Sequence, residues 1–345
     1  MNPPVSETEQ LQRELQQGFA ALNKGDLASA AKACQQALKI RPDLVQAHFL
    51  TGLVALEAQQ RKTAFEAFVS VTKLDSNHAA AWAQLARLYM SEGQVNKADQ
   101  ALQEALKQNS KDPIVQDLLG ITFSLMGEHD DALACFRRAN KYREDYPPFM
   151  LNLANNLVYH GNTEEAEPVF RRIIELQPNS PQAHWALAAA RKAKDHRHVG
   201  EMARMAAGRK QHPRSEAFYW YAIGKELEVL QEWQDASEAF SRGAAARRQT
   251  IEYDEAAEIE MFDYLTATFD SNWYEGLANG EDNTAPIFVL GQPRTGTTLV
   301  ERIISSHSQV TSAGELQQLG LAVRRIGNYT DPKRFSKAYF ECAKD

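Results

Sequence analysis

Residues 81–113 read "AWAQLARLYMSEGQVNKADQALQEALKQNSKDP", and this stretch determines the fold. A small residue, Ala86, lies in its first half, and a second, Ala98, follows twelve residues later, beyond Gly93. A bulky residue, Leu102, comes four positions after Ala98. Two antiparallel helices approach closely only where their facing side chains are small. The stretch therefore predicts a helix, a turn and a second helix that pack against each other.

The same pattern recurs along the chain with a period of 34 residues. The first small residue recurs at Gly18, Gly52, Ala86, Gly120, Ala154 and Ala188, and the second at Ala30, Ala64, Ala98, Ala132 and Ala166. Glycines mark the turns between them, at Gly25, Gly93, Gly127 and Gly161. One hairpin of this kind cannot bury its own apolar face, whereas a stack of hairpins can. The sequence therefore predicts a mostly α-helical stack.

The repeated unit resembles the tetratricopeptide repeat family. The family pattern is met most fully at Trp82, Leu85, Tyr89, Ala98 and Ala105. The resemblance covers residues 11–248, after an N-terminal tail at 1–10, as about seven units of which the sixth is degenerate. It implies an α-solenoid whose groove holds a protein or peptide partner. Asn152 and Asn155 are candidates for hydrogen bonds to a peptide backbone, although both could instead satisfy neighbouring helix ends.

The sixth unit departs from the pattern, because "KAKDHRHVGEMARMAAGRKQHP" replaces the expected turn. The pattern resumes, displaced by two residues, at Trp220, Gly224, Leu227, Ala236 and Phe240. His196 and His198 beside Asp195 raise the possibility of a metal site. No further ligand at helical spacing supports a metal, so we expect a solvated, irregular turn. Cys34 and Cys135 fall at or beside packing positions, where we expect buried thiols.

Composition excludes several classes of protein. The 345 residues carry a formal net charge of −7, and no cluster of basic residues suggests a nucleic-acid-binding surface. No segment reaches the ~18 apolar residues that span a membrane, and the N-terminus lacks a secretory signal. The chain has 3 cysteines, far apart in sequence and odd in number, which favours reduced thiols. We therefore expect a cytoplasmic protein, with no membrane or nucleic-acid partner and an oligomeric state left open.

Beyond residue 248 the 34-residue period ends. We expect a connecting helix and linker over 249–284 and a second domain over 285–345. The apolar run at 287–290 predicts a buried strand of a parallel sheet, and a helix is expected from Thr297. A strand, a glycine-rich loop and a helix form a phosphate-binding arrangement, because backbone N–H groups at the helix start converge on an anion. Gly291 and Gly296 let the backbone turn and approach the ligand closely.

Two other interpretations of this loop are a nucleotide-binding Walker A loop and a simple helix cap. The spacing of Gly291 and Gly296 matches the first half of a Walker A loop, but Thr297 stands where that loop has its lysine. A nucleoside triphosphatase would thereby lose its main cation for the phosphates. The two threonines, Thr297 and Thr298, could also serve only as caps of the helix.

The stretch "GQPRTGTTLVERIISSHSQVTSAGE" resembles the start of the sulfotransferase domain that follows tetratricopeptide repeats in many bacterial proteins, and it is similar to tyrosylprotein sulfotransferases. The family pattern is met at Gly291, Pro293, Arg294, Thr295, Gly296, Thr297, Thr298, Leu299 and Glu315. The resemblance implies a P-loop-like α/β domain that binds 3′-phosphoadenosine-5′-phosphosulfate (PAPS) and uses no metal. It implies that residues 295–298 hydrogen-bond the phosphosulfate and that Arg294 offsets the charge that develops on it.

The resemblance also gives Glu315 the role of catalytic base that takes the proton of the acceptor hydroxyl. Ser312 and Glu315 fit a helix capping box as well, and the two roles are compatible. The tyrosylprotein enzymes carry a basic residue soon after this acid, whereas here Leu316 and two glutamines follow. The identity of the acceptor therefore stays open between tyrosine and other hydroxyls.

A complete domain of this family needs roughly 250 residues, since each parallel strand requires a crossover connection of a dozen or more residues. The residues after 285 are far fewer. From the sequence we expect a fragment or a truncated chain with weak or no catalysis. The alternative function is a non-catalytic repeat scaffold for protein interactions.

Overall fold

The computed structural model describes residues 7–208, 212–276, 283–314, 316–328 and 336–344, and within these ranges it is α-helical without a β-strand. The described residues divide into two compact units, Met1–Glu252 and Tyr253–Asp345. The helices of the first unit are α1 (Glu7–Asn23), α2 (Leu27–Ile40), α3 (Val45–Glu57), α4 (Arg61–Leu74), α5 (Ala79–Ser91), α6 (Val95–Lys107), α7 (Pro113–Met126), α8 (His129–Tyr142), α9 (Pro147–Tyr159), α10 (Thr163–Leu176), α11 (Pro181–Ala190), α12 (Arg197–Ala206), α13 (Pro213–Val229) and α14 (Trp233–Arg248). Those of the second unit are α15 (Glu255–Thr268), α16 (Ser271–Glu275), α17 (Thr297–Ser305), α18 (Gln318–Ile326) and α19 (Lys337–Lys344).

The predicted helical stack is confirmed in the first unit. Successive helices pack against each other as pairs, α1 with α2 through α9 with α10 and again α13 with α14. The small positions lie where the paired helices meet: a Cβ at Gly52 would lie 2.6 Å from Phe68 Cε1, and one at Gly120 would lie 2.6 Å from the same atom of Phe136. The aromatic ring therefore occupies the space that the glycine leaves free.

The turns inside the pairs need a left-handed residue. The four predicted turn glycines, Gly25, Gly93, Gly127 and Gly161, have φ between 72° and 79°. In the second pair the same position is Gln59, with φ of 58°, and in the last pair it is Gln231, with φ of 64°. A left-handed backbone conformation is less favourable for a residue with a side chain than for glycine, because the Cβ atom comes too close to a carbonyl oxygen. The turn geometry is thus kept even where the sequence does not offer glycine.

The sixth unit is helical, which corrects the expectation of a solvated turn. Helix α12 begins at Arg197, and His198 is only 7% exposed. Helix α12 packs against α13 and makes little backbone contact with α11, the helix with which it would pair in a regular unit. His196, by contrast, is exposed as expected, and its Nε2 lies 2.5 Å from Glu232 Oε1. The sequence pattern failed at His198 because its partners lie on other helices.

The two cysteines in the stack, Cys34 and Cys135, are buried, as predicted. Burial raises the pKa of both thiols, because desolvation penalises the thiolate. In the second unit, helix α15 lies within the segment 249–284, for which a connecting helix and linker were predicted. The strand predicted at 287–290 is absent from the described residues: this segment has no regular secondary structure, and Phe288 is 79% exposed. A strand needs a neighbouring strand for its hydrogen bonds, and the described part of the chain supplies none.

Candidate functional site

The loop that precedes helix α17 makes a tight turn. Arg294 and Gly296 have left-handed backbone angles, with φ of 68° and 95°. Helix α17 begins at Thr297, as predicted, and the N–H of Val300 donates to the carbonyl of Gly296 at 3.1 Å. A residue other than glycine keeps a left-handed angle only where its surroundings hold it. The turn therefore fixes the backbone of the one arginine in the predicted site.

Gly291 and Thr295 hold the turn together. A Cβ at Gly291 would lie 2.7 Å from Thr295 Oγ1 and 2.9 Å from Thr297 Cγ2, so a larger residue does not fit. The hydroxyl of Thr295 donates to the carbonyl of Gln292 at 2.7 Å, and the N–H of Thr295 donates to the same oxygen at 3.2 Å. Both protons that Thr295 could offer to a ligand are thus used inside the turn.

The outer surface of the turn has the chemistry of an anion site. The loop residues from Gly291 to Gly296 are exposed, as is Thr298. The first N–H groups of a helix have no partner within it, and the helix dipole places partial positive charge at this end. The guanidinium of Arg294 adds a full positive charge. The predicted residues Pro293, Arg294, Gly296, Thr297 and Thr298 are therefore neighbours on one exposed turn.

The predicted base, Glu315, lies outside the described residues. Before it in the sequence, Ser312 Oγ accepts a hydrogen bond from the N–H of Gly314 at 3.2 Å. After it, α18 begins at Gln318. His307 follows the end of α17, where its Nδ1 accepts the N–H of Gln309 at 3.2 Å.

A second group of polar residues lies on the first helices of successive repeats. Asn152 on α9 donates its amide to Asp117 on α7, at 2.9 Å from Oδ1 and 3.2 Å from Oδ2. On α5, Arg87 Nη2 donates to Gln84 Oε1 at 3.1 Å. Asn152 is therefore bound within the stack, whereas the side chain of Asn155 is exposed and makes no hydrogen bond in the described part of the chain. Only Asn155 stays available for the predicted peptide contact.

Asp117 has an unusual titration. It is 8% exposed, and burial raises its pKa to about 6, because desolvation penalises the carboxylate. The hydrogen bond from Asn152 and the charge of Arg87 both act in the opposite direction. A cavity of ≈ 530 Å³ adjoins Arg87, and its lining includes Leu22, Leu53, Leu56, Arg61 and Ser91. The cavity thus combines apolar walls with charged and polar groups, as binding sites commonly do.

A buried chain of hydrogen bonds crosses the sixth and seventh units. His184 Nδ1 lies 2.8 Å from His198 Nε2, and His198 Nδ1 lies 2.7 Å from Glu226 Oε1. Arg191 Nη2 donates to the same carboxylate oxygen at 3.0 Å. Neither this buried cluster nor the buried carboxylate of Asp117 was predicted from the sequence. Partners in both cases are 14 to 35 residues apart in sequence, and no local spacing marks them.

The described part of the chain contains no group of three or more histidine, cysteine, aspartate or glutamate side chains arranged to hold a metal ion. None of the helices within it combines the length and the apolar character needed to cross a membrane.

Comparison with known proteins identifies two kinds of sequence in the chain. A profile described as "Sulfotransferase family" matches residues 286–343. Profiles described as "Tetratricopeptide repeat" match residues 15–79, and also 55–120 and 125–190. Comparison with known families thus supports the repeats and a short sulfotransferase-like segment.

Two curated relatives each match about half of the chain. An uncharacterized protein of Aquifex aeolicus is 27% identical over an alignment of 201 residues, and the match covers 55% of this chain and 25% of that protein. The peroxisomal targeting signal receptor of Saccharomyces cerevisiae is 24% identical over an alignment of 210 residues, and the match covers 49% of this chain and 34% of the receptor. The chain therefore spans about a quarter to a third of the length of these curated relatives.

Solved structures of helical proteins resemble the chain. The APC/C hetero-tetramer Cut9-Hcn1 gives a TM-score of 0.50 at 15% identity, covering 70% of this chain and 44% of that chain. A thermophilic TPR protein of Thermus thermophilus gives a TM-score of 0.45 at 20% identity, covering 52% of this chain and 98% of that chain. At such identities the likeness concerns the fold alone.

Proposed function

Because the chain combines tetratricopeptide repeats with a sulfotransferase-like segment, we propose that it acts in PAPS-dependent transfer of a sulfuryl group to a hydroxyl of a protein or peptide. The observation that carries the proposal is the turn before α17, where Arg294 and the helix start offer positive charge and N–H donors to one anion. PAPS supplies the sulfuryl group, and its phosphosulfate is an anion of the kind that such a turn binds.

Each residue of the turn has a distinct part in this proposal. The planar guanidinium of Arg294 suits two oxygens at once, and it offsets the charge that develops on the leaving phosphate oxygen. Thr297 and Thr298 donate N–H and hydroxyl hydrogen bonds to the phosphosulfate. Thr295, whose protons go to the Gln292 carbonyl, acts as a positioning residue that holds the turn in shape.

The acceptor side of the reaction rests on Glu315. Its proposed role is to take the proton of the acceptor hydroxyl as the oxygen forms its bond to sulfur. A tyrosine phenol has a pKa of about 10, so a positioned base matters for this acceptor. We propose a tyrosine as the acceptor, and other protein hydroxyls are the alternatives to be tested.

The repeats supply the acceptor in this proposal. Exposed Asn155 on α9 and the cavity beside Arg87 are the polar contacts that we assign to a peptide. The yeast relative is named a receptor for a targeting signal, which agrees with recognition of a peptide by repeats of this kind. We place the reaction in the cytoplasm, where cysteines stay reduced.

Binding of the product nucleotide 3′-phosphoadenosine-5′-phosphate (PAP) and of PAPS, measured by calorimetry on the full chain, tests the donor site. Replacing Arg294 with alanine removes charge-assisted hydrogen bonds and should weaken binding of PAPS roughly 10- to 100-fold. Arg302→Ala is the matched control, because Arg302 lies on α17 with its side chain 79% exposed, away from the helix start. Equal loss in both variants would argue against a specific site.

A second experiment separates the enzyme from a scaffold. The tetratricopeptide profiles match much of the first unit, which favours a non-catalytic interaction protein as the alternative function. Transfer of radiolabelled sulfate from PAPS to an added tyrosine peptide should fall at least ~100-fold in Glu315→Gln. If the full chain binds neither PAPS nor PAP at millimolar concentration, the scaffold function stands and the enzyme proposal fails.

A further inference from the structure

The sixth repeat is joined to its neighbours by polar contacts. Helix α12 has little backbone contact with α11, and the side chains of His184 on α11 and His198 on α12 connect the two helices instead. The two rings are stacked, with centroids 5.0 Å apart. From His198 the connection continues to Glu226 on α13. All three side chains are at least nine-tenths buried, so water cannot replace these bonds easily.

The hydrogen-bond partners determine where the protons lie on His184. Its Nε2 lies 2.9 Å from the carbonyl oxygen of Pro178, which can only accept, so Nε2 carries a proton. Burial lowers the pKa of His184, because desolvation penalises the charged ring. The ring is therefore neutral, and its Nδ1 presents a lone pair to His198.

The same argument makes His198 a cation. Its Nε2 must donate to the lone pair of His184 Nδ1, at 2.8 Å. Its Nδ1 faces the carboxylate oxygen of Glu226, which also accepts from Arg191, so Nδ1 must donate as well. A histidine that donates from both nitrogens carries a positive charge. The cluster then holds one anion, Glu226, between two cations.

Few other groups could compensate for a changed proton count. Glu201 on α12 acts on His184 through its charge, and the ring of Tyr219 on α13 lies 5.6 Å from that of His184. Glu226 Oε2 and Arg191 Nε are buried without a hydrogen-bond partner among the described residues. Neither of these two atoms therefore has a hydrogen bond in place that could take over from a broken one.

We propose that the hydrogen-bonded chain from the Pro178 carbonyl through His184 and His198 to Glu226 is a proton-dependent clasp that holds α12 in the repeat array. The clasp is complete in one protonation state only. A proton added to His184 Nδ1 would face the N–H of His198, whereas a proton lost from His198 would leave a lone pair facing either Glu226 or His184. Helix α12 is therefore held most tightly over a limited pH range, and outside that range the apolar contacts of Met202 with α13 hold it less firmly on their own.

The acid limit of this range follows from His184. Because its pKa in the folded chain lies below the ordinary value of 6.5, the open state takes up the proton first. The contribution of His184 to stability is then fully present above 6.5 and is lost as the pH falls from 6.5 through the lowered value.

Nitrogen-15 NMR of the histidine rings in the full chain tests the proton assignment directly. At about pH 7, above the ordinary pKa of histidine, we expect both nitrogens of His198 to be protonated and His184 to be the neutral tautomer protonated on Nε2. A neutral His198 under these conditions would overturn the proposal, and this measurement needs no variant.

Hydrogen exchange of the α12 amides, corrected for the intrinsic pH dependence of exchange, tests the clasp itself. His198→Gln should speed exchange of α12 roughly 10-fold at about pH 7 and remove its dependence on pH. His196→Gln is the matched control, because that ring is exposed on the same segment and bonds Glu232 instead. A pH dependence that survives in His198→Gln would sink the proposal, and one lost equally in both variants would do the same.

Discussion

Replacing Gly52 with alanine probes why the repeats need a small residue at this position. The added Cβ would lie 2.6 to 2.9 Å from three ring atoms of Phe68, well inside ordinary contact. Phe68 is fully buried, so its ring cannot move into solvent. Overpacking of this kind costs about 1 to 3 kcal/mol, whereas alanine in a helix interior gains about 0.5 to 1 kcal/mol over glycine. We therefore expect a net loss of roughly 1 to 2 kcal/mol.

The chain itself limits how large this loss can be. In the fifth repeat an alanine, Ala154, occupies the position equivalent to Gly52, and Phe170 occupies that of Phe68. Both are fully buried in one apolar cluster, so an alanine and a phenylalanine can be accommodated when the helices adjust. The free-energy cost of Gly52→Ala is thus the cost of shifting two helices, α3 and α4, that in the native chain pack closely around a glycine.

Urea unfolding of the full chain, followed by circular dichroism, gives the measurement. Gly200→Ala is the control, because a Cβ there meets no atom within 4 Å, and it should stabilise the chain by about 0.5 to 1 kcal/mol. In a Phe68→Leu background, which reproduces the pairing of Ala86 with Leu102, Gly52→Ala should cost little, so the two changes should couple by about 1 kcal/mol. If Gly52→Ala stabilises as much as Gly200→Ala, close packing is not the reason for the glycine.

Three further predictions concern single residues. The pKa of Asp117 is raised from 3.8 to about 6 in the folded chain, so its contribution to stability is full below pH 3.8 and is lost as the pH rises to about 6. The loss is up to ~3 kcal/mol, and the urea midpoint of Asp117→Asn should not show this dependence on pH. Gln59→Gly should raise the thermal midpoint, since it relieves a left-handed residue at a net gain of up to ~1 kcal/mol, whereas no gain is expected for Gln60→Gly. Cys34 and Cys135, buried and with raised pKa values, should react with a thiol reagent only after urea unfolds the chain, so rapid labelling of either in the native chain would contradict their burial.

The repeat fold could be predicted because its determinants are periodic. Gly52 and Phe68, or Gly224 and Phe240, are close in sequence, and the same contact recurs between Gly120 and Phe136. The same is true of the loop, where Gly291, Thr295 and Gly296 lie within a few residues and the start of α17 follows at once. A pattern of local contacts leaves a local trace in the sequence.

The features that sequence reasoning missed are those with distant partners. Asp117 meets Asn152 across 35 residues, and His198 meets Glu226 across 28. Polar residues in a segment of low repeat similarity are typical of solvated turns, so the burial of His198 could not be read from its neighbours. The strand expected at 287–290 failed for a related reason, since a strand depends on another segment that local pattern does not supply.

The position of the clasp determines how far its opening can spread. In a stack of repeats each unit contacts only its neighbours, so a local opening is confined unless the interfaces on both sides are weak. The earlier repeats are held by apolar contacts such as that of Gly52 with Phe68, which do not depend on a proton. The sixth repeat is held by a chain of bonds that does, in addition to the apolar packing of Met202 with residues of α13. A change of pH that loosens α12 should therefore leave the exchange of α3 and α4 unchanged, and the direct packing of α11 against α13 should keep the first five repeats joined to the seventh.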